Sequence, residues 1–510
     1  MYPSRERRAA LAESARFQLL SGALHSAALG QVRSPTTFPG GTVSPDQSAG
    51  SPRTSVDIAD AVVQLMPQLK AELAELVAIP SVSAVDFPEE TRPEIQRAHD
   101  FVAALFREAG VDVSVLELPN TAPVVIGGIP APEGAPTVLL YGHYDVVPAG
   151  DEGEWESPPY ELTERDGALF GRGSADTKSN IMAHIGALRV WNGRPPVGIK
   201  VVIEGQEEVG GGALNGYPAT NPELFRADAM LIADMGSVRP GVPTLTIGLR
   251  GMAQTTMEVS TLASPKHSGQ YGGAAPDAVG VLVKALATLH DDNGDVAVEG
   301  LRREPWTGAG SSEDEFKQLA EVIPGLPLVG TGDLGSRVWS GPAITVTGID
   351  VSPVDDALNA VNAYARATIN TRVHPAQDAD EAQAAVAAHL EKVRPFGIGL
   401  TIQDGATGNG FLAETTGPAY EAAQDAMRAA WGIEASYAAT GGSIPLVNAL
   451  QQAVPEAELL LLGATDGYAN IHGPNERVLI DEFEKAVVVE AEFLGRFATA
   501  IADRKVGETS

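Results

Sequence analysis

The chain has 510 residues, a formal net charge of −31 and no cysteine, with 44% hydrophobic and 20% charged residues. That length exceeds what one hydrophobic core usually spans, so a folded protein of two domains is expected, and the apolar content rules out a disordered chain. The acidity excludes nucleic acid and anionic lipid as partners, the missing thiols exclude disulfides and thiolate metal sites, and no apolar run approaches the roughly 18–20 residues of a membrane span.

Residues 1–55 stand apart. They carry six Arg (Arg5, Arg7, Arg8, Arg16, Arg33, Arg53) against three acids (Glu6, Glu13, Asp46), which leaves the body at −34. The stretch SPTTFPGGTVSPDQSAGSPRTS is rich in Pro, Ser and Gly and predicts disordered linker, and the first half predicts a short frayed helix. FQLLSGALHSAALG is broken by Gln, Ser and His, so no secretory signal is read. The segment is expected to be a disordered tail or the product of a misassigned start, and the protein to be cytoplasmic.

From Asp57 a helical pattern (Ile58, Val62, Leu65, Leu69, Leu73, Leu76) runs to Pro80, which stops it. Apolar runs follow at Thr137–Tyr141, Ile199–Ile203, Ala229–Ala233 and Leu459–Leu462, short, rich in Val, Ile and Leu, and not alternating. Such runs suit strands buried on both faces. Helical patterns separate them, including Asn180–Trp191 and Asp481–Ile501, and strand and helix in alternation predict an α/β domain with a mostly parallel sheet.

Between 249 and 411 the texture changes. AQTTMEVS and NAYARATINTRVHP alternate like strands with one buried face, and helical patterns lie near Asp277–Leu289 and Asp380–Val393. Two helices over an antiparallel sheet, a ferredoxin-like α+β unit, account for that order. The expected domains are therefore 56–248 and 412–510 as two parts of one α/β body, with 249–411 inserted between them.

Charged motifs follow the buried strands: YGHYDVVP (His143, Asp145), GRGSADTKSN (Asp176), EGQEEVGG (Glu207, Glu208) and IADMGS (Asp234), with His472 in the later ANIHGPNERV. A lone HxD is more often a core histidine satisfied by its carboxylate, an EE pair is usually solvated surface, and a single Asp is often a cap. The set carries more. Open α/β sheets place their sites at the carboxyl ends of parallel strands, and a carboxylate buried there costs several kcal/mol unless a cation or hydrogen-bond donors compensate.

The motifs HYD, ADTK, EGQEEVGG, Asp234, HSGQYGG, NTRVHP, GGSIP and IHGPNE, in this order over nearly all of 56–510, resemble the dimetal peptidase family of carnosinase-type dipeptidases, carboxypeptidase G, acetylornithine deacetylase and succinyl-diaminopimelate desuccinylase. PPVGIKVVIEGQEE is most similar to the carnosinase-type branch. The resemblance implies a phosphorylase/hydrolase-like catalytic domain with a lid and dimerisation domain inserted. It implies His143 and Asp234 as ligands of one divalent metal, Glu208 and His472 of a second, and Asp176 bridging both, with a cis peptide after Asp176. Zinc suits these ligands best, with manganese as the alternative. Asp145 would orient the His143 imidazole. Glu207 would be the general base acting on a metal-bridged water, its side chain turned away from that of Glu208 because alternate residues of an extended segment face opposite ways.

The resemblance further implies that Arg372 grips the substrate carboxylate, aided by Asn359, Gly442 and Ser443, and that His267 enters the partner's active site in a homodimer to stabilise the oxyanion. The implied reaction is hydrolysis of the peptide bond of dipeptides. The alternatives are an N-acyl amino acid deacylase removing acetyl or succinyl and, more remotely, a catalytically silent metal-binding protein. Thr177, Ser179, His374, Pro375, Ala439 and Thr440 depart from the commoner family pattern, which bears on substrate identity and not on the implied ligands.

Overall fold

The computed structural model describes residues 54–508, apart from 309 and 443 and the side chains of 445 and 506–508. The expected N-terminal tail, up to residue 53, and Ser443 lie outside the described residues. Helix α1 (Ser55–Val77) begins in a reciprocal capping box: Asp57 N donates to Thr54 Oγ1 at 3.2 Å and Thr54 N to Asp57 Oδ2 at 3.1 Å. Its buried stripe, Ile58, Val62, Met66, Leu69, Leu73 and Leu76, keeps the three-to-four spacing of an amphipathic helix.

In chain order there follow α2 (Arg92–Glu108), β1 (Asp112–Leu116), β2 (Val124–Ile129), β3 (Thr137–His143), α3 (Ser179–Val190), β4 (Gly198–Glu204), β5 (Ala229–Ile232) and β6 (Thr244–Leu249). Next come β7 (Gly251–Ser260), α4 (Ala278–Leu286), β8 (Ala343–Asp350), β9 (Tyr364–Val373), α5 (Ala379–Lys392) and β10 (Thr401–Gly408). The chain closes with β11 (Phe411–Leu412), α6 (Pro418–Trp431), β12 (Ser436–Thr440), α7 (Pro445–Ala453), β13 (Glu458–Leu461) and α8 (Ile480–Glu508).

The central sheet runs β1-β2-β4-β3-β5-β13-β6-β11, with β12 also paired to β6. Its middle, β4-β3-β5-β13, is parallel, as is the β6–β12 pair, and the pairs β1–β2, β2–β4, β13–β6 and β6–β11 are antiparallel. Alternate side chains of the middle strands enter two different cores. Val138, Leu140, Val201, Ile203 and Leu231 pack with α1, α2, α3, α6 and α8, while Leu139, Tyr141, Val202, Met230 and Ile232 pack with Phe225 and α7. Two covered faces are why these strands read as near-continuous apolar runs, with Lys200 in β4 the one break.

A second sheet, β8-β9-β7-β10, is antiparallel throughout. With α4 between β7 and β8 and α5 between β9 and β10, it has the split βαβ order. Met257, Ala365, Ala367 and Ile369 face Val281, Leu282, Val386 and Leu390 of the two helices, so only one face is buried and the strands alternate. The chain leaves the central sheet at Leu249 and re-enters at Phe411, and these two residues pair with each other. Among the described residues no helix is long and apolar enough to cross a membrane.

Candidate metal centre

His143 is the last residue of β3, and Asp234 stands two residues past the neighbouring parallel strand β5. Asp176 lies in the turn Ser174–Lys178 that leads into α3, with a cis peptide to Thr177. Glu207 and Glu208 occupy a tight turn after β4, and His472 sits in the loop ahead of α8. The parallel strands thus deliver their polar groups to one edge of the sheet.

There the groups meet. His143 Nε2 is 3.0 Å from Asp176 Oδ1 and 3.3 Å from Asp234 Oδ1. His472 Nε2 is 3.1 Å from Asp176 Oδ2 and 3.0 Å from Glu208 Oε2. Two triads share Asp176, which turns one oxygen to each, and the ligand atoms of each triad lie within 4.8 Å of one another.

The electrostatics of the cluster call for positive charge. Burial, aided by the charges of Asp176 and Glu208, pushes Asp234 up to about 6 against the pull of His143. Hydrogen bonds to Asp176 and Glu208 push His472 up to about 10. Burial works to lower the His143 imidazole, yet the Asp234 charge and the hydrogen bonds to Asp145, Asp176 and Asp234 raise it well above its ordinary value. Each Nε2 faces two carboxylate oxygens but can offer only one proton, so one carboxylate of each triad is left poorly satisfied. A divalent cation satisfies all three donors at once, and nitrogen with carboxylate oxygen is a suitable donor set. The residues present fit two such ions.

Asp145 is fully buried behind His143. His143 Nδ1 lies 3.1 Å from the Asp145 carbonyl and 3.3 Å from its Oδ1. The same carboxylate also accepts the Glu207 amide at 3.2 Å on Oδ1 and the Glu208 amide at 3.1 Å on Oδ2. This corrects the expected local geometry. Glu207–Val209 is one turn of 3₁₀ helix, not an extended segment. Successive side chains are therefore about 120° apart, and the divergence of Glu207 from Glu208 comes from the turn that Asp145 holds. Burial, then the Asp234 charge, pushes Glu207 up to about 9.

The described substrate-binding candidates lie in three other places. Arg372 projects from β9 on the face away from the helices, half-buried, and among the described residues no carboxylate pairs with it. Burial lowers its guanidinium, and burial together with the Arg372 charge pushes neighbouring Arg250 down to about 10. Arg250 spends Nη1 on the Val338 carbonyl at 2.8 Å and Nη2 on that of Gly341 at 2.6 Å. Lys266–His267 pairs with Ala360–Val361, and Ser268 N donates to the Asn359 carbonyl at 2.9 Å, which puts His267 and Asn359 side by side, both exposed. His267 belongs to neither triad. Gly442 is exposed in the loop before α7.

Several residues were given no supporting role from the sequence. Thr177 Oγ1 donates to the Ala233 carbonyl, beside Asp234, and accepts from Asn180 Nδ2, both at 2.7 Å; Asn180 Oδ1 in turn accepts the Ala464 amide at 2.7 Å. Tyr141 Oη donates to Glu204 Oε1 at 2.7 Å at the end of β4, where burial pushes Glu204 up to about 7. Arg172 and Glu476 form a buried ion pair of 2.6 Å. The motifs GRGSADTKSN, EGQEE and IHGPNERV contained most of these residues, and their partners lie too far away in the chain for spacing to reveal them.

A model of the peptidase family M20/M25/M40 matches residues 139–496. The chain is 41% identical over 431 residues to the cysteinylglycine-S-conjugate dipeptidase of Corynebacterium striatum, covering 83% of this chain and 94% of that protein. It is 25% identical over 458 residues to a Cys-Gly metallodipeptidase of Schizosaccharomyces pombe, covering 84% and 95%. Its fold is similar to that of human carnosine dipeptidase 1, with a TM-score of 0.72 and 24% identity over 88% of this chain and all of that one.

Proposed function

The chain belongs to peptidase family M20/M25/M40 as a metallopeptidase, and from that premise we propose that it hydrolyses the peptide bond of dipeptides at the paired triads around Asp176. The single observation that carries the reading is the division of one carboxylate, Oδ1 towards His143 and Oδ2 towards His472. That arrangement suits two ions sharing a ligand.

His143, Asp176 and Asp234 would hold one ion, and Asp176, Glu208 and His472 the other, with zinc favoured by the imidazole and carboxylate donors and manganese the alternative. When bound, such ions supply Lewis-acid polarisation of the scissile carbonyl and lower the pKa of water. Glu207 takes the proton of the attacking water and passes it to the departing amine. Burial and the Asp234 charge raise its carboxyl, and positive charge at the two triads would lower it again, into the range where it could both take up and release a proton. Asp145 fixes both His143 and the turn that separates Glu207 from Glu208.

The substrate carboxylate would be gripped by Arg372, aided by Asn359, Gly442 and Ser443. The unpaired, half-buried guanidinium supports this, since an anion relieves its desolvation. Residues 249–411 act in this reading as lid and dimerisation domain. The partner's copy of the exposed His267 completes the oxyanion site of a cytoplasmic homodimer. The names of the relatives favour dipeptides over N-acyl amino acids and point to Cys-Gly and its S-conjugates as first substrates to try.

The test is turnover of a dipeptide panel, with N-acetyl and N-succinyl amino acids alongside, by the zinc-loaded enzyme and by Glu207→Gln. Dipeptide hydrolysis that falls roughly 10²–10⁴-fold in the variant, with both ions retained, is the expected result. Turnover of acyl substrates alone would reassign the enzyme as a deacylase, and wild-type rates in the variant would remove Glu207 from the reaction.

A further inference from the structure

Arg172 and Glu476 are both 1% exposed, and together they touch every backbone segment that carries the second triad apart from the Glu208 turn. Glu476 Oε1 accepts the amides of Ala175 and Asp176, each at 3.0 Å. Its Oε2 accepts the Gly173 amide at 3.0 Å and Arg172 Nη1 at 2.6 Å. Arg172 Nη2 then reaches the carbonyl of Gly473, the residue after His472, at 3.1 Å, and that of Pro148, downstream of His143 and Asp145, at 3.4 Å. The backbone adds to this: Gly171 N donates to the Glu476 carbonyl at 3.0 Å, and Arg477–Leu479 pairs antiparallel with Ala168–Phe170.

Each loop has other ties, among them Asn475 with Glu154 and Glu156 and Thr177 with the Ala233 carbonyl. Among the described residues, however, the hydrogen bonds that join residues 171–178 to residues 471–476 all involve Arg172 or Glu476, the His472–Asp176 contact of the triad apart. The His472 loop keeps three non-glycine residues in the left-handed region, Asn470 at φ +52°, His472 at +64° and Asn475 at +57°. Each such residue costs about 1–3 kcal/mol and persists only where its surroundings over-determine it. Gly173 is also left-handed, at φ +80°, and a Cβ there would come within 2.6 Å of Val146 Cγ1, so the bridging loop is equally confined. His143 and Asp234, by contrast, are fixed at the ends of paired strands β3 and β5 without help from Glu476.

We propose that the Arg172–Glu476 pair is a positioning clasp that sets the distance between the bridging Asp176 and His472, so that the second cation site depends on it far more than the first. The inference rests on the reading of the triads as a two-ion centre. Neither residue touches the reacting atoms. Glu476 acts through the Asp176 backbone, and Arg172 acts through Gly473. A carboxylate is required at 476 because two oxygens must serve three amides and a guanidinium; a glutamine has one oxygen, and its NH₂ would meet an amide N–H donor to donor.

The experiment is equilibrium dialysis of the full-length enzyme against buffered free zinc, with bound zinc per chain counted by elemental analysis. Wild type should fill in two steps. In Glu476→Gln the first step should stay within about threefold, and the second should move to roughly 10–100-fold higher free zinc, the usual effect of losing a residue that orients a metal ligand. Activity lost at low zinc should return at high zinc, unlike that of Glu207→Gln. Two unchanged steps, or two steps that shift equally, would overturn the clasp. Wild type taking up one zinc or none would instead defeat the two-ion reading beneath it. Since Glu476→Gln leaves Arg172 buried without its counter-charge, Arg172→Lys is measured beside it. That variant keeps the charge pair but loses the fork to Gly473 and Pro148, and it should move the second step in the same direction. An unchanged second step in a folded Arg172→Lys enzyme would also count against the proposal.

Discussion

Replacing Asp145 by Asn probes how the centre is organised without removing any proposed ligand or the base. The side chain is fully buried, and its two oxygens accept the Glu207 amide at 3.2 Å and the Glu208 amide at 3.1 Å while one of them stands 3.3 Å from His143 Nδ1. Asparagine keeps the volume but turns one oxygen into a donor, so at least one amide of the turn loses its acceptor and the imidazole loses a charged neighbour. Hydrogen bonds to charged groups are worth about 1.5–3 kcal/mol each. At 1.36 kcal/mol per decade this corresponds to roughly a 10- to 150-fold loss, spread over metal affinity and kcat. The assay is kcat/KM on a dipeptide in buffered zinc, paired with zinc dissociation measured against a chelator, and a thermal melt verifies that the variant is folded. A folded Asp145→Asn enzyme within about twofold of wild type in both quantities would refute the role given to this residue.

Two further outcomes are expected. His184 is buried with Nδ1 2.7 Å from Glu490 Oε2 and Nε2 3.1 Å from the Tyr141 carbonyl; burial works to lower it, but the charge and hydrogen bond of Glu490 raise it above its ordinary value. A raised folded-state value stabilises fully below about pH 6.5, the unfolded value, and that contribution fades as pH climbs through the folded one. The melting-temperature gap between wild type and His184→Gln should therefore narrow from pH 6 to 9, and a gap that stays constant or widens would contradict the pairing. Small-angle scattering with a saturating dipeptide analogue should show a smaller radius of gyration if residues 249–411 close as a lid, and an unchanged radius would count against closure.

Much of the fold was legible because burial writes itself into periodicity. Strands β3, β4, β5 and β13 read as near-continuous apolar runs, broken only by Lys200 in β4, since both faces are covered, whereas β7 and β9 alternate since only one is. His143, Glu207, Glu208 and Asp234 were legible for a related reason, since they end or closely follow such runs, whereas Asp176 and His472 lie in loops that follow none of them. Two things were not legible. The Glu207–Glu208 turn is set by Asp145, about 60 residues earlier in the chain, and no local pattern signals a 3₁₀ turn imposed from that distance. Glu476 reads as the end of a polar loop motif, and its burial against four donors depends on the pairing of Arg477–Leu479 with Ala168–Phe170, which spacing alone does not show.

The central claim, that one aspartate joins two cation sites, is tested most directly by anomalous diffraction at the zinc edge from crystals of the zinc-loaded enzyme. Two peaks about 3.5–4 Å apart are predicted, one beside His143 and Asp234, the other beside Glu208 and His472, with an Asp176 oxygen at each. A single peak, or two that do not share Asp176, would contradict the account.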